Sequence, residues 1–227
     1  TDNRAAAAIA ADQMFEAIAA DVSSVSTSNP VTIVVLSQDA TSQSVTFRGF
    51  GFRDRMVELL IENGVSRNAI RVQGNPAYVT DENPQSNNPA VIIDMIVPAS
   101  PRDQDVVASA NAVFQRIEDD NIRGIFASNE GTARGILSAT NDGNELATTY
   151  DDVVVIGFDA GEGQKNAVRQ GYFYGAITQD PYQIGYMAVE LAYRAAMGES
   201  VSDVDTGAKF YNADNMDDAD IAPLLYD

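Results

Sequence analysis

Residues 153–198, VVVIGFDAGEGQKNAVRQGYFYGAITQDPYQIGYMAVELAYRAAMG, decide how this 227-residue chain is read. The apolar, β-branched run at 153–158 has the length of a buried strand and ends in a carboxylate, Asp159. A short helix over 163–170 follows, and then a second strand over 174–178 that ends at the amide Gln179. Asp180 as N-cap and Pro181 at the first helical position start a long helix, which stops at Gly198. In an open α/β sheet the parallel strands present their C-terminal ends along one ligand edge, so Asp159 and Gln179 are expected to look into one crevice. The pair forms a hydrogen-bonding site with no catalytic group attached.

The same alternation extends backward. Asp2 or Asn3 can cap a helix with apolar positions at Ala7, Ala10, Met14, Phe15 and Ile18, which SSVSTSNP ends. Strands are expected over 31–36, 69–72, 90–97 and 124–127, and helices over 46–63, 103–118 and 131–138. Strand alternating with helix argues an α/β fold, a doubly wound, mostly parallel sheet. After Gly198 the sequence holds one short strand, 208–212, and an acidic tail. The sixteen residues GNPAYVTDENPQSNNP, 74–89, are long for a loop in a compact domain and read as an insertion, functional or merely solvent-exposed.

Composition closes several routes. With 45% apolar and 21% charged residues the chain can build a sizeable core. Thirty-three acidic against fourteen basic residues give a formal charge of −19, which repels phosphate backbones and anionic headgroups; nucleic acid is not an expected partner. The absence of cysteine and histidine removes thiolate nucleophiles, zinc-thiolate sites, Ser-His triads and HExxH sites. GEGQKN at 161–166 follows a strand but lacks the third glycine of a dinucleotide fingerprint, and Asp217, Asp218 and Asp220 lack the spacing of a calcium loop. No enzyme activity, metal or cofactor is expected, and no apolar run is long enough to span a bilayer.

The segment GFDA through GAITQDPYQIGYMAVELA resembles the C-terminal third of the type I periplasmic binding proteins, the ribose and galactose group of ABC-transporter sugar receptors. IFASNEGTARGILSA, 125–139, resembles that family's strand and helix with an Asn at its mouth, and FRGFGFRDRM, 47–56, its Arg-Gly-x-Gly-Phe helix. TDNRAAAAIAADQM, 1–14, resembles the segment that leaves the first lobe through a hinge and begins the second. The resemblance implies a fragment without the N-terminal lobe: a ligand-binding lobe over 1–179, a crossover helix over 180–207 that would pack on the first lobe, and a return strand with acidic tail over 208–227. Residues 1–3, 179–181 and 204–207 would be the hinge crossings. It further implies an extracytoplasmic location, periplasmic or lipoprotein-anchored, hinge closure on the ligand, and an ABC permease as partner.

A well-hydrated sugar or polyol needs several convergent polar groups, some charged, and an apolar or aromatic face. By resemblance Asp159 and Asn129 fall at sugar-contacting positions and Gln179 at the hinge-proximal amide. Thr46 stands where a ribose-type receptor keeps arginine, with Arg48 two residues on, and Arg102 stands in place of an aromatic wall residue. Each has a plainer alternative: Asp159 and Asn129 as helix caps, Arg48 as a surface ion-pair partner. The rival reading of the whole is the effector-binding half of a lac-repressor-type transcription regulator, which shares the fold. Without a first lobe, the helix face Ile184, Met187, Ala188, Leu191 and Ala195 is expected to stay displaced or to drive self-association through 181–197.

Overall fold

The computed structural model describes residues 1–226. Seven strands form one sheet: β1 (Val31–Leu36), β2 (Ile70–Gly74), β3 (Val91–Ile96), β4 (Ile122–Ala127), β5 (Val154–Phe158), β6 (Gly175–Gln179) and β7 (Ala208–Tyr211). Their order is β2-β3-β1-β4-β5-β6-β7, with the first six parallel and β7 antiparallel to β6. Every residue of β1 is buried, which is why this central strand reads as an unbroken apolar run and not an alternating one.

Helices cover both faces, as the doubly wound reading requires. On one face α1 (Asn3–Ala17) lies along α3 (Gln43–Glu62) over a core in which Phe52 stacks on Phe126, centroids 4.5 Å apart. On the other, α4 (Asp103–Phe114), α5 (Glu130–Ala139) and α6 (Glu162–Arg169) cover a second core that includes Met216 and Ile221 from the tail. The short α2 (Ala19–Ser23) continues from α1. The helix from Asp103 stops at Phe114, four residues before the expected 118. Turns then carry the chain to Asn121 at φ 47° and into β4, which starts at Ile122 and not 124.

Residues 75–89 are not a loose decoration. Tyr78 is fully buried, its hydroxyl donates to Asp39 O at 2.7 Å, and its carbonyl accepts from Arg53. Further on, the segment runs beside β2: Val72 N–H donates to Pro84 O at 2.9 Å and Ser86 N–H to Ile70 O at 3.1 Å. The loop thereby occupies hydrogen-bonding groups that an outer strand would otherwise leave open to another chain.

The last long helix, α7 (Pro181–Ala196), stands apart: none of its residues is buried. The stripe Tyr182, Tyr186, Val189 and Tyr193 is 56–73% exposed, so the bare surface is wider than the face expected from sequence. No helix among the described residues is long and apolar enough to cross a membrane.

Candidate ligand site

The site forms where the crossovers part. From β1 the chain passes through α3 to β2 on one side of the sheet, and from β3 through α4 to β4 on the other, so the C-terminal ends of β1 and β4 mark the switch point at which doubly wound sheets take their ligands. Asn129, Asp159 and Gln179 stand at or just beyond the ends of β4, β5 and β6.

Asp159 is the centre of the cluster. Its Oδ1 accepts from Gln179 Nε2 at 2.8 Å, and its Oδ2 accepts from Glu130 N–H at 3.3 Å and lies 3.5 Å from Arg48 Nη1. The residue adopts φ 80°, a left-handed conformation that side chains rarely take and that surroundings must impose. Those surroundings are specific: Tyr211 OH donates to the Asp159 carbonyl at 3.0 Å, and Gln164 Nε2 donates to the same oxygen. Asp159 does not cap α6, whose N-cap is Gly161. The carboxylate is turned instead toward Arg48, Gln179 and the first turn of α5.

Arg48 reaches this carboxylate from α3. Its Nε donates to Asn3 Oδ1 at 2.8 Å, its Nη1 donates to Ser128 O at 3.1 Å, and its guanidinium carbon lies 3.7 Å from the Phe158 ring centroid. Burial pulls its pKa below the ordinary arginine value, and the Asp159 charge pulls the other way. A guanidinium with fixed fork geometry, buried on an aromatic face, is a rigid donor and not a surface ion-pair partner.

Asn129 fulfils its plainer reading. It caps α5 in a reciprocal box with Thr132, Oδ1 accepting from Thr132 N–H at 3.0 Å, while Nδ2 donates to Gln38. Gln38 in turn donates to Pro101 O at 2.9 Å and ties the ends of β1 and β3 to that of β4. Thr46 donates its hydroxyl to Ser42 O and Gln43 O, back along its own helix. Arg102 is exposed at the N-cap of α4, on the same edge of the sheet. Thus Asp159 is in contact with both Gln179 and Arg48 and accepts from Glu130 N–H, the residue next to Asn129, whereas the bonds of Thr46 and Arg102 are local to the first turns of α3 and α4.

Gln38, Glu130 and Tyr226 were not singled out from sequence, and Asn3 only as a candidate cap of the first helix, a place that Asp2 takes. Asn3 orients Arg48, and Tyr226 OH accepts from Ala160 N–H at 3.3 Å. Only the side chain of Glu130 carried a signal, following Asn129 at the start of a helix after a strand. At the β6–β7 edge, Thr1 Oγ1 donates to Gly207 O at 3.1 Å and Asp2 N–H to Asp205 Oδ1 at 2.8 Å, while Gln179 pairs with Ala208. Residues 1–2, 179 and 205–208 therefore lie together. Among the described residues no acidic cluster suits a metal ion.

The sequence matches the periplasmic binding protein domain over residues 1–200, most of its length. The chain belongs to the periplasmic binding protein family. Families of this kind bind solutes and are not enzymes. The chain is 34% identical over 107 residues to the ribose import binding protein RbsB of Escherichia coli K12, a match covering 42% of this chain and 34% of that protein. Among solved structures, an ABC transporter, LacI family transcriptional regulator, from Brachyspira murdochii is 38% identical with a TM-score of 0.79, and covers all of this chain and 66% of its own. A carbohydrate transporter solute binding protein from Agrobacterium radiobacter, in complex with D-arabinose, is 27% identical with a TM-score of 0.70, over 100% of this chain and 64% of its own. This periplasmic binding protein chain thus spans about a third of the curated relative's length and about two thirds of the solved ones.

Proposed function

We propose that this chain is the second lobe, with its crossover helix and return strand, of an extracytoplasmic sugar- or polyol-binding protein serving an ABC transporter. The observation that carries the reading is Asp159, held at φ 80° between Arg48 and Gln179 above the sheet edge. A carboxylate accepts pairs of hydroxyl protons, and a fixed guanidinium and amide beside it donate to ring or hydroxyl oxygens, which is the complement of a polyhydroxylated neutral ligand. Asn129, Thr46 and Arg102 would complete this half of the cleft. The arabinose-bound relative and the ribose import relative favour the same ligand class.

On this reading residues 1–179 form the lobe, 180–207 cross to a first lobe and 208–227 return. The three strands of chain gathered near Thr1, Gln179 and Gly207 act as the hinge. Ligand closes the two lobes, and the closed form docks on the permease at the outer face of the membrane, free or lipoprotein-anchored. The bare stripe of α7 is covered by the first lobe. Calorimetry of the intact gene product against pentoses, hexoses and polyols is expected to show saturable binding. No heat from any of them would sink the proposal.

The name of the Brachyspira relative supports a second reading, the effector-binding part of a lac-repressor-type regulator. A helix-turn-helix encoded upstream of Thr1, together with sequence-specific operator binding in a mobility-shift assay, would replace the transport reading.

A further inference from the structure

The family match ends at residue 200, yet the segment beyond it returns to the site. Residues 212–226 are anchored along the lobe by several contacts. Met216 and Ile221 are buried in the second core, Lys209 pairs with Asp220 at 2.7 Å, and the fully buried Thr178 donates from β6 to Leu224 O at 3.0 Å. These contacts bring Tyr226 to the turn after β5. Its hydroxyl accepts from Ala160 N–H at 3.3 Å, the peptide next to Asp159, and lies 3.5 Å from Glu130 Oε2. Glu130 is also the residue whose own N–H donates to Asp159.

We propose that Tyr226 is a positioning residue for ligand binding, a latch by which the tail holds the Asp159 turn in its binding geometry. The reasoning is geometric. A left-handed aspartate persists only when neighbouring groups over-determine it. Tyr211 OH and Gln164 fix the Asp159 carbonyl, but the following N–H is held by Tyr226 alone of these three. Releasing that N–H frees the turn to relax toward ordinary backbone angles, which moves the carboxylate away from Arg48 and Gln179. Pre-organisation of a binding group lowers the ordering cost of association, so its loss appears in affinity. Burial pushes the Tyr226 phenol above its usual value, with the Ala160 bond opposing and Asp159 and Glu130 adding to the rise, so the hydroxyl stays neutral in ordinary buffers.

This inference rests on the sugar-binding reading, and its test separates the two. The intact gene product and its Tyr226→Phe and Tyr226→Ala variants are compared by calorimetry with the sugar that binds the unaltered protein, by thermal unfolding, and by amide hydrogen exchange at Ala160. Expected for Tyr226→Phe are a Kd about 5- to 20-fold weaker, faster exchange at Ala160 and an unfolding midpoint within about two degrees of the parent. Tyr226→Ala is expected to show the same affinity loss with an added loss of stability. A purely structural tail would lower stability in Tyr226→Ala and leave the Kd of both variants within twofold, which overturns the latch. If the unaltered protein binds no sugar, the functional reading falls, and unchanged Ala160 exchange in Tyr226→Phe then overturns the latch independently.

Discussion

Arg48 and Asp159 show how residues far apart in sequence become one charged, hydrogen-bonded group, and each has consequences for substitution. Arg48→Met would keep bulk against Phe158 but leave Asp159 without its cation and Asn3 and Ser128 without a donor. Breaking a buried pair by removing one partner costs about 3–5 kcal/mol when both groups are fully enclosed. Asp159 retains some solvent access, so the expected loss is about 2–3 kcal/mol in urea unfolding. Asp39 offers a pH test. Burial pushes its pKa up, but Ser42 N–H at 2.6 Å, Thr41 N–H at 2.7 Å and the Thr41 hydroxyl hold it below the usual carboxylate range. A depressed native pKa contributes stability above the unfolded value, about 3.9, and loses it as pH falls through the native value. The urea midpoint of the parent should therefore exceed that of Asp39→Asn at pH 7, and the gap should shrink steadily below about pH 4. A gap that widened in acid would contradict this sign. Asp159 and Gln179 were legible in the sequence because strand ends are legible. The Arg48–Asp159 contact was not, since it depends on α3 lying over the end of β5. Asn129 shows the reverse: its Oδ1 caps α5 and its Nδ2 donates to Gln38, and an Asn after a strand end reads the same in sequence whether it caps or contacts ligand.

At the level of elements, the contact between α1 and α3 is a close approach of small residues. Ala6, Ala7, Ala10 and Ala11 are buried, and a Cβ added at Gly51 would stand 2.2 Å from the Arg4 carbonyl oxygen. Gly51→Ala must push the helices apart, at an expected cost of about 1–3 kcal/mol, visible as a lower urea midpoint. Replacement of Gly64, at φ 93° with open space around it, tests backbone strain without a clash. The α7 stripe belongs to this scale too. Val189→Glu and Tyr186→Glu in residues 1–227 alone should reduce association in analytical ultracentrifugation without shifting the unfolding midpoint, because nothing in the lobe packs on them. The order of strands and helices was readable from periodicity and turn residues throughout. Helix ends were off by a few residues where turns such as 115–121 continue the helical spacing, and the path of 74–89 depended on the distant partners of Tyr78 and Ser86.

For the molecule as a whole, the charge of −19 is the dominant long-range term. Most basic side chains are already engaged with carboxylates, as in Arg55 with Asp12, Glu58 and Glu62, and Arg116 with Asp94 and Asp120, so the excess acidity remains to repel itself. Raising NaCl from about 0.02 to about 0.5 M should screen that repulsion and raise the thermal midpoint by a few degrees; a falling midpoint would mean that the ion pairs outweigh the repulsion. The doubly wound class is legible in the alternation of strand and helix, whereas the antiparallel direction of β7 is fixed by its pairing with β6. The register between β6 and β7, with Gln179 opposite Ala208, opens another route. Antiparallel neighbours can be joined by two residues, so deleting 180–207 and inserting Asn-Gly would turn the pair into a β-hairpin. The product would be a self-contained seven-stranded sheet without its bare helix, a graftable cassette in which the Arg48–Asp159–Gln179 edge could be studied or re-engineered on its own.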